Sequence, residues 1–275
     1  MNRTTTKLLI SILLFGIWLA PIFSVAQIKS EELATNVYLL SDDSTSVKAL
    51  YIRNKEQVIL VDAMFDDFAM AISKHLDEQN LTVKYVINTH YHGDHTGGNT
   101  FFKEADIVSH YNTHQNIVDS AMYGPTSPFG QEDMPNLLFS DSLTLNLENT
   151  QVHVVHFGPA HTNGDAIVIL PEQNIIQVGD VILTPRSLPF STNPKGTLTA
   201  LKKVANYSNE NTIIVTGHGD TASKTDLVAL INIIETTIMY VENGNDLVDY
   251  PSVWNEWNSS FISMKTWLTI LDRYY

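Results

Sequence analysis

Apolar residues in this chain come mostly in short runs separated by polar turns, the rhythm of β-strands, with fewer stretches at helical spacing. Val37-Tyr38-Leu39-Leu40, Ala49-Leu50-Tyr51-Ile52 and Val58-Ile59-Leu60-Val61 are three such runs. Residues 41–46 and Arg53-Asn54-Lys55-Glu56 join them, which predicts an antiparallel meander. Residues 66–78 place Phe68, Met70, Ala71, Ile72, His75 and Leu76 at helical spacing. A strand at Val83-Lys84-Tyr85-Val86-Ile87 follows, then a turn into a helix expected to include Phe101-Phe102. A strand over 106–109 and a helix over 112–122 come next. Residues 123–136 have Gly, Pro and polar residues and no period, so they read as a loop. A second meander is predicted from runs at 143–145, 152–157, 166–170 and 175–178. Helices at 197–207 and 225–240 bracket a strand at 212–216. A last helix is predicted over 254–275, with Trp254, Trp257 and Trp267 packing it onto the body.

The order is β-meander, αβα, βα, β-meander, α, β, α. Two mixed sheets with helices outside them account for it, an α/β (α+β) architecture in one domain over 27–275. With 275 residues, 44% hydrophobic and 17% charged, the chain can bury a substantial core.

The N-terminus departs from this pattern. Arg3 and Lys7 precede an almost wholly apolar stretch over 8–23, and Ser24-Val25-Ala26 has small residues where a signal peptidase needs them. A signal peptide over 1–26 is expected, cleaved before Gln27, with no stable membrane anchor afterwards and a periplasmic or secreted mature chain. There is no cysteine, so export brings no disulfide, and any metal site must use histidine and carboxylate. The net charge is -14, and losing Arg3 and Lys7 makes the mature chain more acidic still. Such a surface repels phosphate backbones, so a small-molecule substrate is expected and nucleic acid is not. The mature chain is expected to be a monomer or homodimer.

Candidate chemistry concentrates where the strand at 83–87 ends. Thr89-His90-Tyr91-His92-Gly93-Asp94-His95 puts potential ligands at His90, His92, Asp94 and His95. His90 and His92 alternate on extended chain and point the same way, whereas Asp94 and His95 lie on the following turn. Two clusters can form, each short of the three protein ligands that a catalytic zinc takes. His161, Asp180 and His218 each follow an apolar strand with Gly or Pro nearby, so they are candidates for the missing positions.

H-x-H-x-D-H, a later lone His, a later Asp after Gly179 and the final Gly217-His218-Gly219 together resemble the metallo-β-lactamase superfamily. The resemblance spans most of the mature chain and implies its fold, a four-layer αββα sandwich. It implies one zinc on His90, His92 and His161, a second on Asp94, His95 and His218, and Asp180 bridging the two; zinc is expected ahead of iron or manganese. The chain departs from the zinc β-lactamases that gave the family its name. Asp180 stands where they have a cysteine, and Val181-Ile182-Leu183-Thr184 lacks the lysine that grips a substrate carboxylate. The ligand set looks closer to that of glyoxalase II and of lactonases, although no glutathione-binding basic cluster is visible.

The resemblance implies an exported dinuclear zinc hydrolase, in which a metal-bound hydroxide attacks the carbonyl of an ester, lactone, thioester or β-lactam amide. Asp94 is the catalytic candidate, orienting the hydroxide or accepting its proton. Two alternatives stay open: an iron-dependent oxidoreductase of the same fold, and a non-catalytic periplasmic metal-binding protein. Asp62 and Thr162 are candidates to hold the far nitrogens of ligand imidazoles; Asp62 reads equally as a helix N-terminal carboxylate. His75, His110, His114, His153 and His156 read as surface or hydrogen-bonded core residues. The loops at 123–136 and 184–196 could shape a substrate site, the second through Arg186 and Phe190.

Overall fold

A computed structural model describes residues 27–120, 133–147, 150–191 and 193–275. The expected signal peptide and most of the loop expected at 123–136 lie outside the described residues.

Among the described residues two sheets form. The first has seven strands in sequence order: β1 Lys29–Ala34, β2 Val37–Asp42, β3 Thr45–Asn54, β4 Gln57–Val61, β5 Thr82–Ile87, β6 Asp106–His110 and β7 Leu137–Phe139. Pairing is antiparallel through β4 and parallel from β4 to β7. The second contains β8 Ser142–Leu147, β9 Thr150–Val155, β10 Ile167–Leu170, β11 Ile175–Gln177 and β12 Ile213–Val215, ordered β12-β11-β10-β9-β8. Only the β11–β12 pair in it is parallel. The helices are α1 Asp66–Glu78, α2 Gly93–Thr96, α3 Tyr111–Asp119, α4 Pro194–Tyr207, α5 Lys224–Glu242 and α6 Met264–Tyr274.

The period-2 alternation of the strands builds the layers. Leu50 and Ile52 of β3 and Ile59 and Val61 of β4 face Val152, Val154, Val168 and Leu170 of the second sheet. Their neighbours Ala49, Tyr51, Val58 and Leu60 turn the other way, onto Ile72 and Leu76 of α1. Ile167, Ile169 and Ile176 leave the far side of the second sheet and meet α4, α5 and α6 through Leu201, Ile234 and Leu268. Helix, sheet, sheet, helix is thus the observed stack, the four-layer αββα sandwich expected.

Strand register decides where chemistry can sit. Val61 and Ile87, the last residues of β4 and β5, stand side by side with Val108, two residues before the end of β6. Gln177 and Val215 do the same for β11 and β12. The loops that follow these strands therefore open on one edge. That edge is cross-linked: Ala166 N donates to Thr89 O at 2.7 Å, and Gly219 N to Ser46 O at 2.8 Å.

Several expectations are corrected. Phe101 closes a 3-10 turn, Gly97–Phe101, instead of belonging to a longer helix, and Phe102 lies just beyond it. The C-terminal segment is not one helix. A 3-10 turn, Ser252–Trp257, is separated from α6, whose N-cap is Ser263. Trp267 is fully buried and Trp257 buried, as packing onto α5 requires. The strands β1 and β7 were not expected.

Candidate metal centre

Each candidate ligand follows a strand end. β5 leads into His90 and His92, and α2 carries Asp94 and His95. The side chains of Asn88 and Asn99 exchange two hydrogen bonds, of 3.0 and 2.9 Å, which tie the strand end to the turn beyond α2. His161 lies on the loop between β9 and β10. Asp180 sits in a 3-10 turn, Gly179–Val181, after β11, and His218 follows β12.

These elements bring all seven residues together. His90, His92, His161 and Asp180 form one group that could hold a metal ion, and Asp94, His95 and His218 another. In the first, His92 Nδ1 lies 3.0 Å from His90 Nε2 and 3.1 Å from His161 Nε2. Asp180 Oδ2 is 3.8 Å from His90 Nε2 and 3.5 Å from His161 Nε2. In the second, Asp94 Oδ2 is 3.6 Å from His95 Nε2 and 3.5 Å from His218 Nε2. Asp180 reaches this group too, with Oδ1 3.2 Å from His95 Nε2 and Oδ2 3.4 Å from His218 Nε2. One carboxylate therefore faces both clusters.

The far nitrogens of His90, His95, His161 and His218 are held. Asp62 Oδ2 lies 2.9 Å from His95 Nδ1 and accepts from Thr89 Oγ1 at 2.8 Å, while Thr89 N donates to Asp62 Oδ1 at 2.8 Å. Thr89 Oγ1 lies 3.1 Å from His90 Nδ1. Phe190 O is 2.7 Å from His161 Nδ1, and Ser46 Oγ is 3.0 Å from His218 Nδ1. Asp62 thus has the role proposed for it. Thr162 does not: its N and Oγ1 both donate to Asp165, whose carboxylate also takes Ala160 N and so shapes the loop carrying His161. Phe190 O and Ser46 were missed, because a backbone carbonyl or lone hydroxyl leaves no motif. Close packing shapes the carboxylate's seat as well. A Cβ on Gly217 would strike Asp180 Oδ1, and one on Gly179, at φ 51, would come 2.6 Å from Thr89 Oγ1.

The donor set fits a pair of zinc ions. Ligand atoms around a tetrahedral zinc stand about 3.3 Å apart, given Zn–N bonds of about 2.0–2.1 Å, and the separations above cluster around that value. His95 Nε2 and Asp180 Oδ1 are buried with no hydrogen-bond partner, a costly state unless a cation lies between them. Burial, then the neighbouring His95, pushes the His90 imidazole well below its usual range. Burial also lowers His92, with His161 adding to the effect. Both are thereby kept as neutral ligands. Burial opposes a proton on His95, but Asp180 and Asp62 outweigh it and raise that pKa well above the ordinary value. Burial would likewise raise Asp180, yet His95 and His90 hold it well below the usual carboxylate range.

The other histidines are structural. His110 Nδ1 accepts from Asn112 N, its Nε2 lies 2.9 Å from Ser140 O, and its ring stacks on His156 with centroids 4.0 Å apart. His75, His114 and His153 pair with Gln79, Pro135 O and Thr144. Beside the first cluster opens a cavity of about 760 Å³ lined by Tyr91, His92, His161 and Phe190 and by residues of α6. Phe190 thus reaches the site, whereas the charge of Arg186 acts on Asp226 at the start of α5.

Residues 42–266 match the family model of the metallo-β-lactamase superfamily. The chain belongs to that superfamily. It is 25% identical over 224 residues to the metallo-β-lactamase type 2 of Bacillus cereus, covering 77% of this chain and 82% of that one. It is 32% identical over 117 residues to the atrochrysone carboxyl ACP thioesterase of Aspergillus fumigatus, covering 42% of this chain and 24% of that one. This superfamily member spans only 31% of a lactamase-like protein of Emericella nidulans. The solved metallo-β-lactamase from Pontibacter korlensis superposes with a TM-score of 0.65 at 16% identity, over 76% of this chain and 99% of that chain, a likeness of fold. The superfamily is one of metal-dependent hydrolases; this chain shares its fold and has two side-chain clusters that could hold metal ions.

Proposed function

We propose that this protein is an exported dinuclear zinc hydrolase that adds water across the acyl bond of an ester, lactone, thioester or β-lactam amide. One observation carries the reading. Two candidate ligand clusters share the Asp180 carboxylate, and Asp94, a member of the second, is about a third exposed. The activities for which the two relatives are named, β-lactamase and thioesterase, both break an acyl bond. The imidazole-rich donor set favours zinc.

Zinc ions bound there would supply Lewis acidity and a water deprotonated near neutral pH. The residues then divide the work. Asp94 turns Oδ2 to His95 and His218; its other oxygen is free to take the water's proton and return it to the leaving group. Asp180 keeps the two clusters in register. Asp62, Thr89, Ser46 and the Phe190 carbonyl fix the imidazole rotamers, so that nothing reorganises during the reaction. The cavity beside His92 and His161 receives the acyl substrate. Export rests on the basic, apolar and small-residue order of residues 1–26, and a mature mass beginning at Gln27 checks it.

The test is turnover by zinc-loaded mature protein on β-lactam, lactone, ester and thioester substrates. Asp94→Asn should lower kcat about 100-fold or more while leaving the fold intact by circular dichroism. Iron in place of zinc with redox turnover would overturn the reading. So would two bound zinc ions with no cleavage of any substrate. Full activity of D94N would remove Asp94 from its role.

A further inference from the structure

Helix α6 shows two faces. Met264, Trp267, Leu268 and Leu271 are buried in the core against α5. Thr266, Ile270 and Arg273, spaced four and three apart, share the adjoining face and line the cavity beside His92 and His161. Among the described residues of that lining, Arg273 alone carries a permanent positive charge.

Basic side chains are scarce in this chain. Acidic residues outnumber basic ones by 30 to 16. Lys29, Lys74, Lys195 and Lys202 each stand by a carboxylate: Asp43, Glu78, Glu242 and Glu235. Among the described residues Arg273 has no ion-pair or hydrogen-bond partner, and it is exposed to the cavity. The helix end that carries it is held. The hydroxyl of the next residue, Tyr274, donates to Asn193 Oδ1 at 2.8 Å, and Lys195 Nζ lies 4.2 Å from the centre of the Tyr275 ring. The end of α6 is thus pinned to the segment that supplies Phe190 O to His161. Arginine offers a planar fork of donors suited to a carboxylate. Phe190 and Ile270 add apolar surface to the same lining, which also holds His92 and His161.

We propose that Arg273 is the anion-recognition residue of the substrate pocket, and that the acyl substrate carries a carboxylate joined to its reacting carbonyl by an apolar body. The anion contact then comes from the C-terminal helix on the side of His92 and His161. The segment Val181-Ile182-Leu183-Thr184 after Asp180 has no basic residue to provide it. This assignment rests on the reading of the centre as a hydrolase.

Zinc-loaded full-length mature protein is tested with the monophenyl ester of glutaric acid and with the matching ester in which a carboxamide replaces the acid. Wild type should favour the acid in kcat/KM by about tenfold, the scale of one charge-assisted contact. R273Q should raise KM for the acid by about tenfold, leave kcat within twofold and leave both constants for the amide unchanged; R273K should recover part of the loss. Calorimetry with 4-phenylbutyrate and 4-phenylbutyramide reads the same contact without turnover. Equal binding of the two by wild type, or a preference for the acid that survives in R273Q, overturns the proposal. A binding preference that disappears in R273Q while no ester, lactone, thioester or β-lactam is cleaved sustains Arg273 and overturns the hydrolase reading.

Discussion

At the scale of single residues the centre depends on groups that touch no ligand atom. Asp62 is the strongest case. It adopts φ 60 immediately after β4, a conformation that few residues other than Gly, Asn and Asp accept. There its fully buried carboxylate meets Thr89 N, Thr89 Oγ1 and His95 Nδ1. Asp62→Asn keeps the shape but replaces one acceptor oxygen with a donor, so Thr89 and His95 can no longer both be satisfied. Zinc affinity of the Asp94, His95 and His218 cluster should fall about 10- to 100-fold, with the His90 cluster spared. Competition against a chromophoric chelator would show this as one weakened site of two, and two sites of unchanged affinity would refute it. The sequence shows this layer of the site unevenly. The ligands themselves stand out, because His90 to His95 form a compact motif and His161, Asp180 and His218 end apolar runs. Asp62 is half visible, since a carboxylate there would also suit the start of α1. The carbonyl of Phe190 belongs to the backbone, which every residue has, so nothing in the sequence singles it out.

At the scale of elements, legibility follows burial. Strands with one or both faces in the core, such as β3 to β6, announce themselves by apolar runs. β1 reads Lys-Ser-Glu-Glu-Leu-Ala and is exposed over its first four residues; it is an edge strand whose charges protect it from further pairing, so periodicity misses it. β7 has three residues, too few for a period. Helix α3 carries a testable electrostatic feature. His110 caps it by accepting from Asn112 N at Nδ1, which a protonated imidazole cannot do. Burial, followed by the charge of the stacked His156, lowers the His110 pKa, against opposing contributions from Ser140 O and Asp141. The sign follows from linkage. The unfolded chain takes up a proton near pH 6.5, while the folded chain resists until lower pH, so stability is lost as pH falls below about 6.5. His110→Asn supplies a neutral cap of similar reach. The urea midpoint of wild type should fall more steeply between pH 7.5 and 5.5 than that of H110N. Parallel slopes would show that His110 does not titrate in this way.

At the scale of the whole molecule the centre is also a clasp between the two sheets. His90, His92 and His95 come from the first sheet, while Asp180 and His218 come from the second, and the Asp180 carboxylate faces all of them but His92 at 3.2 to 3.8 Å. Without cations, the buried His95 Nε2 and Asp180 Oδ1 face each other at 3.2 Å without a hydrogen bond, a weaker arrangement than a shared metal. Each metal bound to the folded chain alone adds about 4 kcal/mol when free zinc exceeds its Kd about 1,000-fold. At about 2–4 °C per kcal/mol for a domain of this size, chelation should lower Tm by roughly 10 °C for each site emptied and abolish turnover, and zinc should restore both. The size of that shift should depend on pH in a direction set by His95. Its pKa is raised in the metal-free protein by Asp180 and Asp62 acting against burial, so zinc must displace a proton that is held more firmly as pH falls. The gap in Tm between zinc-loaded and chelated protein should therefore narrow from pH 7.5 to 5.5. A gap that stays constant, or that widens, would mean that His95 enters the metal site without giving up a proton, and the carboxylates around it would then need a different account.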